Sequence, residues 1–311
     1  MPSGRPVVGG NHGPPATAGL AYRRRLLMVM ALGTSILVVL LIGSWVSGSL
    51  ALLADAGHVF ADVLGVGLAA VAVTVANRPT RAHRTFGLFR LEIFATVING
   101  FVLLALSGWI LYSAVQRWSE PADLQPGLMM LFAAYGVVAN LAGLWLLRAG
   151  QDKSLAVKGA FLEVLSDLLG SFAVILAGLV VLLTGWTRAD SVASALIALM
   201  IIPRTLLLLR DAFGVLMENA PPGMDVDTLR ADLEAIPGVV RVHDLHVWTI
   251  TSGTPSLSAH ALTYLPPTAN AARMNEVLTA LCDCARSSHD VVHTTFQLET
   301  ADFDDVGEPH P

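Results

Sequence analysis

The chain has 311 residues, of which 54% are hydrophobic and only 14% charged, with a net charge of −5. Ordinary soluble domains carry about 25% charged residues, so a water-soluble globule of this length is excluded. The mild charge, with no basic stripe interleaved with aromatics, excludes nucleic acid as a partner.

The N-terminal stretch Met1–Leu20 is rich in glycine and proline and lacks apolar periodicity. It is expected to be disordered, within a tail assigned to residues 1–22. Six apolar runs follow at roughly 26–47, 50–76, 91–114, 127–148, 156–184 and 190–209. Each is long enough to cross ~30 Å of hydrocarbon. The first follows Arg23-Arg24-Arg25 and is longer than the apolar stretch of a secretory signal, so it reads as a membrane span. Residues 23–210 therefore form a six-helix transmembrane domain, with the lipid bilayer as its solvent.

The connections at Ser47–Ser49, Trp118–Pro126 and Gly185–Ala189 face one side, which receives only Arg117 and Arg188. The other side receives Arg23 to Arg25, Arg78, Arg81, Arg84, Arg90, Arg148, Lys153, Lys158 and Arg210. Positive residues stay in the cytoplasm. Both termini are expected there, with the protein in the cell (plasma or inner) membrane.

After Arg210 the pattern becomes that of a small soluble domain, assigned to residues 211–300 and followed by an acidic tail at 301–311. Asp225 or Asp227 caps a helix running to about Ile236, which Pro237-Gly238 ends. Val239–Ile250 and Leu257–Leu265 read as strands joined by a turn at Thr251-Ser252-Gly253. Ala271–Cys284 reads as a helix and Val291–Glu299 as a last strand, which together predict an α+β domain with helices on one face of a sheet. Cys282 and Cys284 point in different directions on that helix and form no ordinary disulfide; they read as two neutral helix residues.

Ionisable side chains inside hydrocarbon are costly, so each needs a reason. The second span holds Asp55, His58 and Asp62, and the fifth holds Glu163 and Asp167. His58 and Asp62 are spaced i, i+4, as are Glu163 and Asp167, which stacks each pair on one helix face about 6 Å apart along the axis. Two such faces turned together bring one imidazole and three carboxylates to a common point, a ligand set suited to tetrahedral Zn²⁺. A dication also lets three acids share one small volume without mutual repulsion forcing protonation. Asp55 lies a turn beyond His58 toward the outer end, as a supporting or exit-path group. Asn99 and Asn140 are expected to hydrogen-bond between helices, while Gly65, Gly67, Gly170 and Gly178 permit close packing.

Four further segments complete the pattern: Ser49-Leu-Ala-Leu-Leu-Ala-Asp-Ala-Gly-His58; Arg84-Thr-Phe-Gly87 with Arg90-Leu-Glu92; Val242-His-Asp-Leu-His-Val-Trp248; and Ser258-Ala-His260. From about Leu26 to Glu299 the chain resembles the cation diffusion facilitator family of metal/proton antiporters. The resemblance implies six spans, a cytoplasmic metallochaperone-like (ferredoxin-like) α+β domain, a homodimer and proton-coupled metal export. It also implies that His243, His260 and Glu299 ligate a regulatory ion, with partly exposed sheet histidines as the alternative. His246 falls on the opposite strand face from His243 unless a bulge intervenes. His293 and Glu299 would stand about 20 Å apart along an extended strand, so these five residues cannot all serve one ion.

One departure bears on the cargo. The zinc-transporting branch usually has His where this chain has Glu163, and oxygen for nitrogen hardens the site. Zinc remains first choice because of His58; Cd²⁺, Co²⁺, Fe²⁺ and Mn²⁺ stay open, as does a membrane sensor that binds without transporting. His83 is the one histidine between the second and third spans, too little for a metal site there. No His-Glu-x-x-His pair and no Gly-x-Ser-x-Gly elbow occurs, so no enzyme is expected.

Overall fold

Leucine, valine and alanine fill the six apolar runs, and in hydrocarbon a helix is the form that satisfies every backbone N–H and C=O within its own segment. The structure is a computed structural model that describes residues 17–76, 86–120, 123–148, 155–251, 253–264 and 271–300. The runs form α1 (Thr17–Ser47), α2 (Leu50–Ala76), α3 (Leu91–Ser119), α4 (Pro126–Leu147), α5 (Leu155–Thr184) and α6 (Arg188–Leu216). All six are long and apolar enough to cross a membrane. Their outer faces expose Trp45, Val115, Leu131, Val138 and Leu183, which suits lipid rather than water.

Three helices run past their expected limits. α3 continues to Ser119 and α6 to Leu216, since neither Gln116-Arg117-Trp118 nor Arg210-Asp211-Ala212 contains a residue that stops a helix. α1 begins at Thr17, within the stretch expected to be disordered. The rest of that stretch, the 301–311 tail, His83, Arg78, Arg81, Arg84 and Lys153 lie outside the described residues.

By packing, the chain divides into two compact units. The first comprises the residues up to Leu64 together with Val102–Arg204. Its core joins Leu40, Leu50, Leu52, Ile110, Met129 and Val174, all but fully buried. Helices approach closely where side chains are missing: a Cβ on Gly136 would meet Ser171 Oγ at 2.8 Å, and one on Gly178 would meet Met130 at 2.7 Å.

The start of α2 is fixed from a distance in sequence. Buried Asp190, at the start of α6, accepts hydrogen bonds from Ser49 Oγ (2.6 Å), Leu50 N (2.8 Å) and Ala51 N (3.1 Å). A carboxylate there satisfies amides with no intrahelical partner and complements the positive end of the helix dipole. Arg117 Nη1 lies 3.7 Å from Asp190 Oδ2 and donates to Gly48 O at 2.6 Å. The rotation of α2, and hence the direction of His58 and Asp62, is set by this cap.

The second unit takes Gly65–Phe101 and the residues from Thr205 onward. Here Phe101 meets Phe213 edge-on at 6.4 Å, and Asn99 Nδ2 fills the space a Cβ on Gly65 would need. Gly67, expected to permit close packing, has nothing within 4 Å of its Cβ position. Asn99 Oδ1 and Asn140 Nδ2 are buried without a hydrogen-bond partner among the described residues, so neither amide makes the full interhelical bond expected of it.

The α+β portion of this unit contains α7 (Val226–Glu234), β1 (Val239–Thr249), β2 (Pro255–Thr263), α8 (Ala271–His289) and β3 (His293–Thr300). Asp225 caps α7, accepting from the amides of Asp227 and Thr228 and from Thr228 Oγ1. The strands lie in the order β1-β2-β3, with β1–β2 antiparallel and β2–β3 parallel across α8. Leu229, Leu233, Val277, Leu281 and Ala285 from the two helices close onto Val242, Leu257, Ala259 and Ala261 of the sheet. Cys282 and Cys284 are free thiols on α8, and burial followed by the charge of Asp232 pushes the Cys284 thiol up.

Candidate metal centre

α2 and α5 run in opposite directions, so their i, i+4 pairs meet in reverse order, His58 level with Asp167 and Asp62 level with Glu163. His58 Nε2 lies 3.4 Å from Asp167 Oδ1 and 3.7 Å from Asp62 Oδ2. Ligand atoms ~2.0–2.2 Å from a tetrahedral ion stand ~3.3–3.6 Å from one another, so these spacings fit the edges of a metal polyhedron. The three residues place one ligand atom each within 4.8 Å of the others. Asp62 Oδ2, Asp167 Oδ1 and His58 Nδ1 are buried without a hydrogen-bond partner among the described residues. A buried carboxylate oxygen with no donor is expensive, and a dication at this point relieves the cost.

Asp55 sits one turn away, almost fully buried, and accepts from Ser171 Oγ at 3.0 Å. A Cβ on Gly170 would stand 2.7 Å from Asp55 Oδ1, so the glycine is what lets α5 approach α2 here. Asp55 therefore braces the two site helices.

Glu163 departs from the expected ligand set. Its Oε1 is 2.7 Å from Arg204 Nη2 on α6, and it is absent from the trio of converging ligand atoms. The physical reason is competition: a guanidinium is a fixed positive partner for a carboxylate. Glu163 nonetheless keeps its carboxyl against that of Asp62. Arg204 is absent from the residues that sequence pattern singles out, although an ionisable residue among Ile201-Ile202-Pro203 and Thr205-Leu206 is itself a signal. Asp190 was also missed; an acid at a helix start reads as a cap of its own helix, and nothing local shows that it caps another.

A second cluster lies in the α+β portion. His243 on β1 faces His260 on β2 in register, their rings edge-on at 5.2 Å. Glu299 on β3 is buried between them, with Oε2 2.9 Å from His243 Nε2 and Oε1 2.8 Å from His260 Nδ1. The sheet explains the grouping: Glu299 pairs with Leu262, two residues from His260 on the same face. A register shift between His243 and His246, with Asp244 at φ 49°, is the bulge that puts both histidines on one sheet face, opposite His260 and Ser258, and His246 meets Asp244 at 2.9 Å. His293 pairs with Ser256 at the far end of β3 and takes no part. The trio thus meets the ligand geometry, while His246 and His293 stand apart from it.

A bundle of six apolar helices with an imidazole and carboxylates buried in its interior, joined to an α+β portion with a second such cluster, defines a membrane carrier of metal cations. The chain belongs to the cation diffusion facilitator family: residues 26–217 match the cation efflux transmembrane domain and residues 221–301 the cation efflux protein cytoplasmic domain. It is 38% identical over 278 residues to the metal cation efflux system protein CzcD of Cupriavidus metallidurans, covering 89% of this chain and 87% of that one. It is 34% identical over 282 residues to the cadmium, cobalt and zinc/H(+)-K(+) antiporter of Bacillus subtilis, covering 90% of each. To the zinc transporter ZitB of Escherichia coli it is 36% identical over 278 residues, covering 89% of this chain and 87% of that one. The protein is a divalent metal efflux transporter.

Proposed function

We propose that the chain exports Zn²⁺ by metal/proton antiport, alternating access around the ligands His58, Asp62 and Asp167, with Glu163 beside them. The observation that carries this reading is the convergence of two orphaned carboxylate oxygens on one imidazole nitrogen at tetrahedral spacing. All three ligands bind metal in their deprotonated forms, so metal entry releases protons and proton entry expels metal. In the cycle, cytoplasmic metal displaces protons from the site, the helices rock to expose it outward, and protons from outside return to the ligands. Supporting zinc are the imidazole ligand and the names of the relatives, each of which concerns that relative alone; Cd²⁺ and Co²⁺ stand second, and Mn²⁺ and Fe²⁺ are the harder alternatives that Glu163 invites.

The proposed setting is the cell's plasma or inner membrane, with both termini cytoplasmic, the transmembrane domain at 23–210 and the cytoplasmic domain at 211–300. Two copies associate as a homodimer, consistent with the match to the cytoplasmic domain. His243, His260 and Glu299 are proposed to hold a regulatory ion, since one buried acid faces two histidines there.

The test is proteoliposome flux with an inward-directed proton gradient, reporting internal pH and Zn²⁺ together. Coupled, opposite movement of the two supports the reading. Zn²⁺ flux with no pH change, or movement that tracks an imposed K⁺ gradient alone, overturns proton coupling.

A further inference from the structure

The Glu163–Arg204 pair is the polar feature of the bundle that the transport cycle leaves unused. Arg204 follows Pro203 inside α6, where proline removes one hydrogen bond from the helical ladder. Its guanidinium bonds Glu163 at 2.7 Å. Its side chain is half exposed, yet its head bonds the acid one helical turn from Asp167.

Charge counting gives the pair a purpose. With His58 neutral, the acids of the two i, i+4 pairs, Asp62, Glu163 and Asp167, contribute three negative charges and Arg204 subtracts one; Asp55, hydrogen-bonded to Ser171, stands outside this set. The net charge of minus two balances a dication. A site with histidine at position 163 would have the same balance without an arginine. Glu163 upsets it by one charge, and Arg204 restores it. Paired with Arg204, Glu163 also stands outside the ligand trio.

Resting on the transport-site reading above, we propose that Arg204 is the charge-compensating, specificity-determining residue of the metal site. It offsets Glu163 and keeps a fourth hard oxygen from closing on the ion. Removing it frees Glu163 to ligate, which tightens the grip on harder ions and slows their release. Placing His at 163 while Arg204 remains leaves an unbalanced positive charge beside the metal.

The experiment is a variant cycle on the full-length chain in detergent, built on a Glu299→Gln background so that the sheet cluster does not contribute, with Zn²⁺ and Mn²⁺ affinities measured by chelator competition and monodispersity checked for each variant. Arg204→Gln is expected to raise Mn²⁺ affinity relative to Zn²⁺ by ~10-fold or more, within the range by which groups supporting a metal site tune it. Arg204→Lys, which keeps the charge, should retain wild-type preference. Glu163→His alone should weaken Zn²⁺ binding by ~10-fold, and adding Arg204→Gln should recover most of the loss. An unchanged Mn²⁺/Zn²⁺ ratio in Arg204→Gln, or no recovery in the double variant, overturns the proposal. Asp62→Ala separates the two levels of inference. If it binds Zn²⁺ like wild type, the site reading itself fails; if it does not bind while Arg204→Gln behaves as wild type, only the role of Arg204 fails.

Discussion

Asp190 and Leu50 lie 140 positions apart in the chain, yet the Leu50 amide donates to Asp190 Oδ2 at 2.8 Å inside the apolar core. This bond, with those from Ser49 and Ala51, anchors the helix that carries His58 and Asp62. A cap of this kind is worth about 0.5–2 kcal/mol when replaced by alanine. Asp190→Ala should therefore lower the thermal midpoint of the detergent-solubilised protein and weaken Zn²⁺ binding in parallel. A variant with wild-type melting and wild-type affinity would show that the cap does not position α2.

Gly170 gives a sharper steric test. An added Cβ meets Asp55 Oδ1 at 2.7 Å, too close for a real contact, whereas one on Gly67 meets nothing within 4 Å. Gly170→Ala should push α5 from α2, costing about 1–3 kcal/mol as overpacking does, and reduce flux. Gly67→Ala should stay within about 0.5 kcal/mol of wild type. Thermal unfolding of the two variants side by side reads the contrast.

The sheet cluster should be separable from transport. Glu299 contacts both His243 and His260, so Glu299→Gln removes a charge that the two histidines share. Equilibrium dialysis should then show a lost binding equivalent per chain, with Zn²⁺ flux retained at saturating metal. Unchanged stoichiometry would mean that this cluster holds no ion.

The cap of α7 predicts a pH dependence. Hydrogen bonds from Thr228 and from the amides of Thr228 and Asp227 hold the Asp225 carboxyl below its ordinary range. A depressed folded value means that the stabilisation is present at neutral pH, above the unfolded pKa, and is lost as pH falls through the depressed value. Asp225→Ala should melt the α+β portion earlier than wild type at neutral pH, and the gap should close in strong acid. A gap that is constant with pH would assign the effect to helix propensity instead.

Local physics made much of this legible. The spans announce themselves because hydrocarbon demands ~20 apolar residues, and the acids inside them stand out because burial there is expensive. The spacing of His58 and Asp62 and of Glu163 and Asp167 gave the two faces, and antiparallel helices explain why they meet crosswise. Asp225 as a cap and Pro237-Gly238 as a stop were visible for the same local reason. What escaped was tertiary. The partner of Glu163 sits 41 positions away on another helix, and charge alone does not say whether an acid will choose a metal or an arginine. Asp190 looked like an ordinary helix start, and the bulge that brings His246 onto the same sheet face as His243 depends on a positive φ at Asp244 that no pattern announces.

Asp167→Asn, with little change in shape, tests whether His58, Asp62 and Asp167 close around the transported ion. Zn²⁺ affinity of the purified protein and Zn²⁺ flux in proteoliposomes should both fall by more than the ~10–100-fold typical of a merely supporting group, with folding intact. Wild-type affinity and flux in Asp167→Asn would contradict the account.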